Sequence, residues 1–401
     1  MLAASASRVA VVALAVLSLI GCSAGSTSIP APAPVATTTL LARLGADTVA
    51  VEQYTRTAKH MEGTIVSRLP AVRIMRYSVD LGSSGAPLRA DLSVRDGGGT
   101  PLAGGMQSLS VRFAHDSAVV VGHRSASDTS VGFTVRGPVL PAVPIPTSYG
   151  LYELALARMS LLGRDSVEFA SVPLTLATRQ ATPQTVRVVS RDSVRISWNG
   201  RPLFVHHDGR GGIVAVDGAR TTFKVSVTRV DSLDLESIAH AWAQRDQGGT
   251  LQGPASTRDT VQATVGSAHL WIDYGRPALR GRDVWVNGVL GDTLWRTGAN
   301  AATQFRTDVD LVIGGATVPA GTYTLWTATT PSGYRLAINR QVGQWGTVYD
   351  ATRDLVRVPL RESSVAAPVE RFTIDVEPAN AGALLDFTWG TKRLSVPLSP
   401  K

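Results

Sequence analysis

A single cysteine, Cys22, stands in a chain of 401 residues, so no intrachain disulfide can form and no thiolate cluster can hold zinc. Lysine is scarce too: four lysines accompany 35 arginines, a bias read as base composition rather than as selection for binding. Aromatic residues make up 6% of the chain and no basic patch interleaves with them, which argues against nucleic-acid binding. No apolar run reaches the ~20 residues that carry a helix across a bilayer. Phosphate loops and nucleophile triads are missing as well. Gly21-Cys22-Ser23-Ala24-Gly25 matches Gly-x-Ser-x-Gly but has no strand-turn-helix context. His206-His207-Asp208 looks like a metal cluster, yet neighbours on a strand face opposite ways and a site needs three or more converging ligands. Glu52 and Glu62 would form an acid/base pair only if folding brought them together by accident. No catalytic residue, metal or cofactor is therefore assigned, and the balance leans toward a non-enzyme.

What is present begins with an address. One cation, Arg8, precedes the apolar stretch Val9–Ile20, which is followed by Gly21 and Cys22, the pattern of an export signal over residues 1–21. Leu19-Ile20-Gly21-Cys22 resembles the bacterial lipobox, which implies cleavage before Cys22 and attachment of acyl chains such as palmitate to it. Two or three chains anchor stably where one binds only marginally, at about 0.8 kcal/mol per buried methylene. Ser23 resembles the outer-membrane sorting default of double-membraned bacteria. The expectation is a lipoprotein of the cell envelope held to its membrane through Cys22. Removing Arg8 lowers the formal charge from +8 to +7, an excess concentrated before residue 263 and compatible with an ordinary solvated surface.

Residues 22–39 are rich in Ser, Thr, Ala and Pro, with Pro30, Pro32 and Pro34 at alternate positions, and read as an extended tether. Residues 40–245 alternate apolar and polar side chains in short runs, as in Met75–Leu81, Ser108–Phe113, Val186–Ile196 and Thr222–Val230. Turn signals at Gly82–Gly85, Asp96–Gly99, Asn199-Gly200, Asp208-Gly209 and Asp217-Gly218 punctuate them. The pattern predicts a mainly β fold, with an antiparallel N-terminal domain. Helices are expected near 151–162 and 233–245, the second capped by Asp231 or Ser232 and stopped by Gly248-Gly249. Such a sheet with helices against it makes a half-barrel able to hold a lipid tail, or else a plain sandwich without a cavity. Residues 246–262 read as a linker.

From residue 263 to 399 the strands Val309–Ile313, Ala316–Pro319, Gly321–Thr327 and Tyr334–Asn339 are joined by short turns. Val356–Leu360, Phe372–Glu377, Leu384–Trp389 and Lys392–Pro397 follow, which together is the arithmetic of a β-sandwich. Several motifs recur in order: Trp271–Pro277, Arg280-Gly281-Arg282, Leu294–Thr303, Pro319–Leu325, Ile338-Asn339, Gln344-Trp345-Gly346, Tyr349-Asp350 and Asp354–Val358. In this order they resemble the bacterial domain-of-unknown-function family 2911, which implies an extracytoplasmic β-rich domain of unassigned activity. The chain departs from that family at Ala301, where a glutamate is usual after Gly-Ala-Asn.

Candidate ligand-binding residues are Arg276, Trp295, Arg296, Asn300, Thr303, Asn339, Trp345 and Tyr349. Arg296 suits a carboxylate or sulfate, Asn300 a hydroxyl, and Trp295 or Trp345 a sugar face. The opposing expectation is that the tryptophans plug the ends of the sandwich while Arg296 and Asn300 satisfy loop carbonyls. The function expected is binding of a glycan, lipid or envelope protein partner. The alternative is an envelope hydrolase using Asp273, Asp350 or Asp354 near Arg296.

Overall fold

The structure, a computed structural model, describes residues 36–69, 71–103, 105–124, 127–143, 148–176, 179–198, 201–221, 223–247, 256–286, 289 and 293–401. Cys22, the export signal, most of the tether, Asn199-Gly200 and Gly248-Gly249 lie outside them. Among the described residues no helix is long and apolar enough to cross a membrane.

The fold is mainly β. The first sheet opens with β1 (Thr37–Leu44), β2 (Asp47–Arg56), β3 (His60–Ser67), β4 (Arg73–Leu81) and β5 (Pro87–Asp96). It continues with β6 (Met106–Phe113), β7 (Ser117–Arg124), β8 (Asp128–Thr134) and β9 (Val139–Ala142). Helix α1 (Tyr152–Leu162) then leads to β10 (Ser166–Pro173), β11 (Thr182–Ser190), β12 (Ser193–Trp198), β13 (Arg201–His207), β14 (Ile213–Asp217) and β15 (Val225–Val230). Helix α2 (Leu235–Gln247) closes this half.

Fifteen strands lie in the order β8 to β1 and then β15 to β9, so β1 is the central seam, paired with β2 on one side and β15 on the other. Every pair is antiparallel except β9 with β10, which α1 connects. The sheet curls on itself. Strand β5 touches β9, and Gly122 on β7 leaves room for Leu176 beyond β10, where a Cβ would lie 2.4 Å from the leucine. The end strands β8 and β9 do not pair with each other, so the barrel is not closed. One apolar core runs from Leu40 to Val227, and α1 supplies Leu154, Ala155, Leu156 and Met159 to it. Helix α1 thus packs on the core side of the sheet, beside β9 and β10.

Helix α2 covers the other face, where Ala239 and Trp242 pack on Val51, Val66 and Val72. Burial on both faces explains why Val49–Glu52 breaks strict alternation. Its cap is Asp234, which accepts from the backbone N–H groups of Glu236 (3.0 Å) and Ser237 (3.1 Å), rather than Asp231 or Ser232. Val186–Ile196, which alternates like one strand, is a hairpin that turns at Arg191-Asp192 between β11 and β12.

The second sheet contains β16 (Ser256–Val265), β17 (Ala268–Pro277), β18 (Leu294–Trp295), β19 (Thr303–Thr307) and β20 (Leu311–Ile313). It is completed by β21 (Ala316–Val318), β22 (Gly321–Thr330), β23 (Gly333–Asn339), β24 (Asp354–Ala379) and β25 (Gly382–Pro400). The stretch expected as linker is therefore half strand: Ser256–Gln262 pairs with β17 because Val261 and Ala263 pack on the second core. Thr37–Thr39, expected in the tether, likewise opens β1 by pairing with β2. The four strands expected between 356 and 397 are two long ones, 26 and 19 residues, bent at the register shifts between Ser364, Val369 and Thr373. That bend folds the sheet into two layers, with Phe305, Leu336, Phe372, Phe387 and Trp389 in the core between them.

Candidate functional site

Two loops meet at one end of the second sheet: residues 296–302, before β19, and residues 340–350, after β23. Backbone bonds pin them together, with the Gly346 N–H donating to the Asn300 carbonyl at 2.9 Å and the Ala302 N–H to the Gln344 carbonyl at 3.2 Å. Ala301 and Trp345 form an isolated antiparallel bridge between those bonds. Gly346 is required here: a Cβ would sit 1.8 Å from the Arg296 side chain and 2.5 Å from the Asn300 carbonyl oxygen. Asn300 takes φ +63°, a left-handed conformation that asparagine tolerates better than most residues.

The consequence is a solvent-exposed tryptophan on a loop whose backbone is pinned. Trp345 is 56% exposed, and Val342 and Val348 on the same loop are 49% and 51% exposed. Behind it, Thr324 and Trp326 lie two residues apart on β22 and so share one face. The Gln344 amide donates to Thr324 Oγ1 at 3.1 Å, the Trp326 indole donates to the same oxygen at 3.0 Å, and Gln304 Oε1 accepts from the Gly343 N–H at 3.3 Å. Tyr349 packs edge-on against Trp326, 4.8 Å between rings.

Beside Trp326, through Tyr349, is a closed polar knot. Tyr349 donates to Asp354 at 2.6 Å, Arg357 donates to Asp354 Oδ2 at 2.7 Å and to the Tyr349 hydroxyl at 2.9 Å, and the Asn339 amide donates to Asp354 Oδ1 and the Asp350 carbonyl, both at 2.8 Å. Burial, then the Asp354 carboxylate, pushes the Tyr349 hydroxyl up to about 12, so it stays protonated and donating at neutral pH.

Five of the eight candidates therefore gather at this end: Arg296, Asn300, Asn339, Trp345 and Tyr349. Three do not. Trp295 is a core residue, stacked on Trp389 at 5.6 Å and edge-on to Phe372 at 4.9 Å. Thr303 is buried, its hydroxyl donating to the Thr297 carbonyl at 2.6 Å. Arg276 clamps β17 to neighbouring strands, reaching Asp259 (2.8 Å), Thr373 Oγ1 (2.9 Å) and the Phe372 carbonyl (3.1 Å). Gln304, Gln344, Thr324 and Arg357 join the site without having been candidates; Gln344, Thr324 and Arg357 stood within the recurring motifs, whereas nothing in the sequence pointed to Gln304.

The carboxylates considered for hydrolysis do not converge as an acid and a base. Asp273 pairs with Arg258 at 2.5 Å, Asp354 is held in the knot, and Asp350 caps the short turn Ala351–Arg353 by accepting from Thr352 N at 3.0 Å. Thr352 holds the exposed Asp350 carboxyl below its ordinary range. Glu52 and Glu62 stay apart, the first buried and the second 66% exposed. His207 Nδ1 accepts from the Gly209 N–H at 3.2 Å, while Asp208 accepts from Gly212 and Arg210 in the turn.

Residues 256–398 match the family model described as protein of unknown function, DUF2911. No curated protein matches the chain. Among solved structures, a DUF1089 family protein from Pseudomonas aeruginosa has a TM-score of 0.32 at 10% identity, over 42% of this chain and 90% of its own. A beta-barrel-like protein of DUF1849 from Brucella abortus has a TM-score of 0.30 at 10% identity, over 48% of this chain and 92% of its own.

Proposed function

We propose that the protein is a lipid-anchored binding protein of the cell envelope, and that its C-terminal DUF2911 region presents a glycan-binding platform centred on Trp345. The observation that carries this reading is the exposed indole held on a loop with its backbone already bonded. A large aromatic surface in water is unfavourable to leave uncovered, and a loop whose backbone is already bonded loses little backbone entropy when a ligand covers it. Indole faces stack on the apolar face of a sugar ring, and the amides and guanidinium around Trp345 are of the kinds that bond its hydroxyls. A hydrolase reading would need two carboxylates facing one cleft, and Asp273, Asp350 and Asp354 are each committed elsewhere.

The anchoring half of the proposal rests on Cys22 in its lipobox-like setting. Cys22→Ser should release the protein from membrane fractions or leave an uncleaved precursor, and unchanged acyl labelling would refute it. For the binding half, detergent-purified full-length protein is sedimented with isolated peptidoglycan, with lipopolysaccharide and with anionic phospholipid vesicles. Binding to one of the two glycans, weakened at least tenfold in Trp345→Ala, is the expected result; tenfold corresponds to about 1.4 kcal/mol. Binding to vesicles alone, or glycan binding that Trp345→Ala leaves untouched, overturns the platform.

A further inference from the structure

The outer face of β3–β7 carries a polar trough of about 410 Å³ that no motif singled out. Its floor consists of two rows running across the strands. Glu62, Ser78, Asp91 and Ser110 face one another in register, and beside them Arg76, Ser93, Ser108 and His123 do the same. Four serines thus occupy adjoining positions in the middle of strands, where β-branched side chains would favour the sheet more. Small side chains there, with longer ones around them, create the depression.

We infer that this trough is a second binding site, for an uncharged, hydroxyl-rich ligand such as a short segment of neutral polysaccharide. Five observations lead there. The hydroxyls of Ser78, Ser93, Ser108 and Ser110 form no hydrogen bond within the protein among the described residues, and each hydroxyl offers both a donor and an acceptor. Asp91 is gripped by Arg89 through two bonds, at 2.7 and 2.8 Å, so a planar fork of fixed donors and acceptors stands on the floor, with the carboxylate oxygens retaining lone pairs for a vicinal diol. The charges cancel: Glu62 and Asp91 oppose Arg76 and Arg89, which selects against a polyanion or a polycation. Tyr77, Leu92 and Leu109, between the serines, turn into the core at 3%, 3% and 1% exposure, so they present little apolar side chain to a lipid tail. Four strands at about 4.8 Å spacing give each row a length of roughly 14 Å, room for a short oligosaccharide. The site is independent of the Trp345 platform, which lies on the other sheet.

The test is calorimetric titration of detergent-purified full-length Trp345→Ala protein, in which the platform cannot contribute. The probes are chitotetraose and maltotetraose, with polygalacturonate as the anionic comparison. At least one neutral oligosaccharide should bind, and substituting Ser78, Ser93, Ser108 and Ser110 together by Ala should weaken it at least tenfold. Ser93→Phe, which fills the floor at an exposed-face position, should abolish it, with circular dichroism confirming an intact sheet. No binding of either neutral probe, preference for polygalacturonate, or binding indifferent to both sets of substitutions overturns the proposal.

Discussion

At the scale of single residues, Glu52 shows how a charge can be placed inside a curled sheet. It is 2% exposed, and its two oxygens accept four bonds: Tyr77 OH (2.8 Å), Ser148 Oγ (2.7 Å), Tyr149 N–H (2.6 Å) and Gly150 N–H (2.9 Å). The two backbone donors belong to the turn entering α1, so this side chain on β2 ties the helix to the sheet. Gly150 keeps the approach open, since a Cβ there would lie 2.7 Å from the Tyr54 ring. Burial raises the Glu52 carboxyl above its ordinary value despite the four donors. Because the folded group titrates above the unfolded one, its contribution to stability is full below the unfolded value and is lost as pH rises through the folded value. Gln at this position keeps one oxygen for the backbone N–H groups and turns an amide toward the two hydroxyls. The melting temperature of Glu52→Gln, relative to wild type, should therefore climb as pH is raised from 4 to 8. A gap that stays flat or closes with pH would refute this account. Glu52→Ala, which orphans the donors, should cost about 2–4 kcal/mol at pH 4, where the carboxyl is protonated, and less as pH rises.

At the scale of elements, the β24–β25 hairpin contains a like-charge pair that the alternation pattern conceals. Asp375 stands directly opposite Asp386, and Asp386 is 1% exposed with neither oxygen accepting a hydrogen bond among the described residues. Arg393, beyond the bend, brings its Nη1 to 3.6 Å from Asp386. Burial first and the Asp386 charge second raise the Asp375 carboxyl. The raised value means that the hairpin loses stability as Asp375 ionises, so Asp375→Asn should melt higher than wild type at pH 7 and match it near pH 3. Equal melting temperatures at pH 7 would show that Arg393 already neutralises the pair. The same hairpin marks the limit of what periodicity reveals. Period two made the strands legible, as in Met75–Leu81 inside β4 and Tyr334–Asn339 inside β23, and α1 and α2 were legible from their apolar spacing. A strand that bends, however, keeps its alternation while changing layers, so 354–379 read as two strands and a gap. In Val186–Ile196 the reverse held: the turn Arg191-Asp192 fell in phase with the alternation and hid a hairpin.

At the scale of the whole molecule, the candidate site was partly legible because loops that return to one sheet end carry its residues in two clusters, 296–300 and 339–349. Sequence could not separate Trp295 from Trp345, since an indole on a β-strand facing a core and one on a loop facing water look alike until the strands are paired. Nor could it show how the two sheets meet. That joint is built from the β1–β2 turn and the segment after β17. Gly45, at φ +60°, lies so close that a Cβ would be 2.3 Å from the Arg280 carbonyl oxygen. Arg282 donates to the Leu279 carbonyl at 2.8 Å and the Ala278 carbonyl in its own segment, and to the Phe223 carbonyl at 3.1 Å in the first half of the chain. Burial, then the neighbouring Arg280, lowers Arg282 to about 10, so it remains a cation at neutral pH and its bonds are charge-assisted. Each sheet has its own apolar core, from Leu40 to Val227 and from Val265 to Leu398. Cutting the joint should therefore uncouple the halves without unfolding either one. Calorimetry of the wild-type protein should give one cooperative transition near neutral pH, and Arg282→Ala should split it into two. Gly45→Val attacks the same joint from the other sheet, through both its φ and its lack of room, and should produce the same split. Two independent transitions already in the wild type, or a single undivided one in both variants, would show that the sheets are coupled by something other than these contacts.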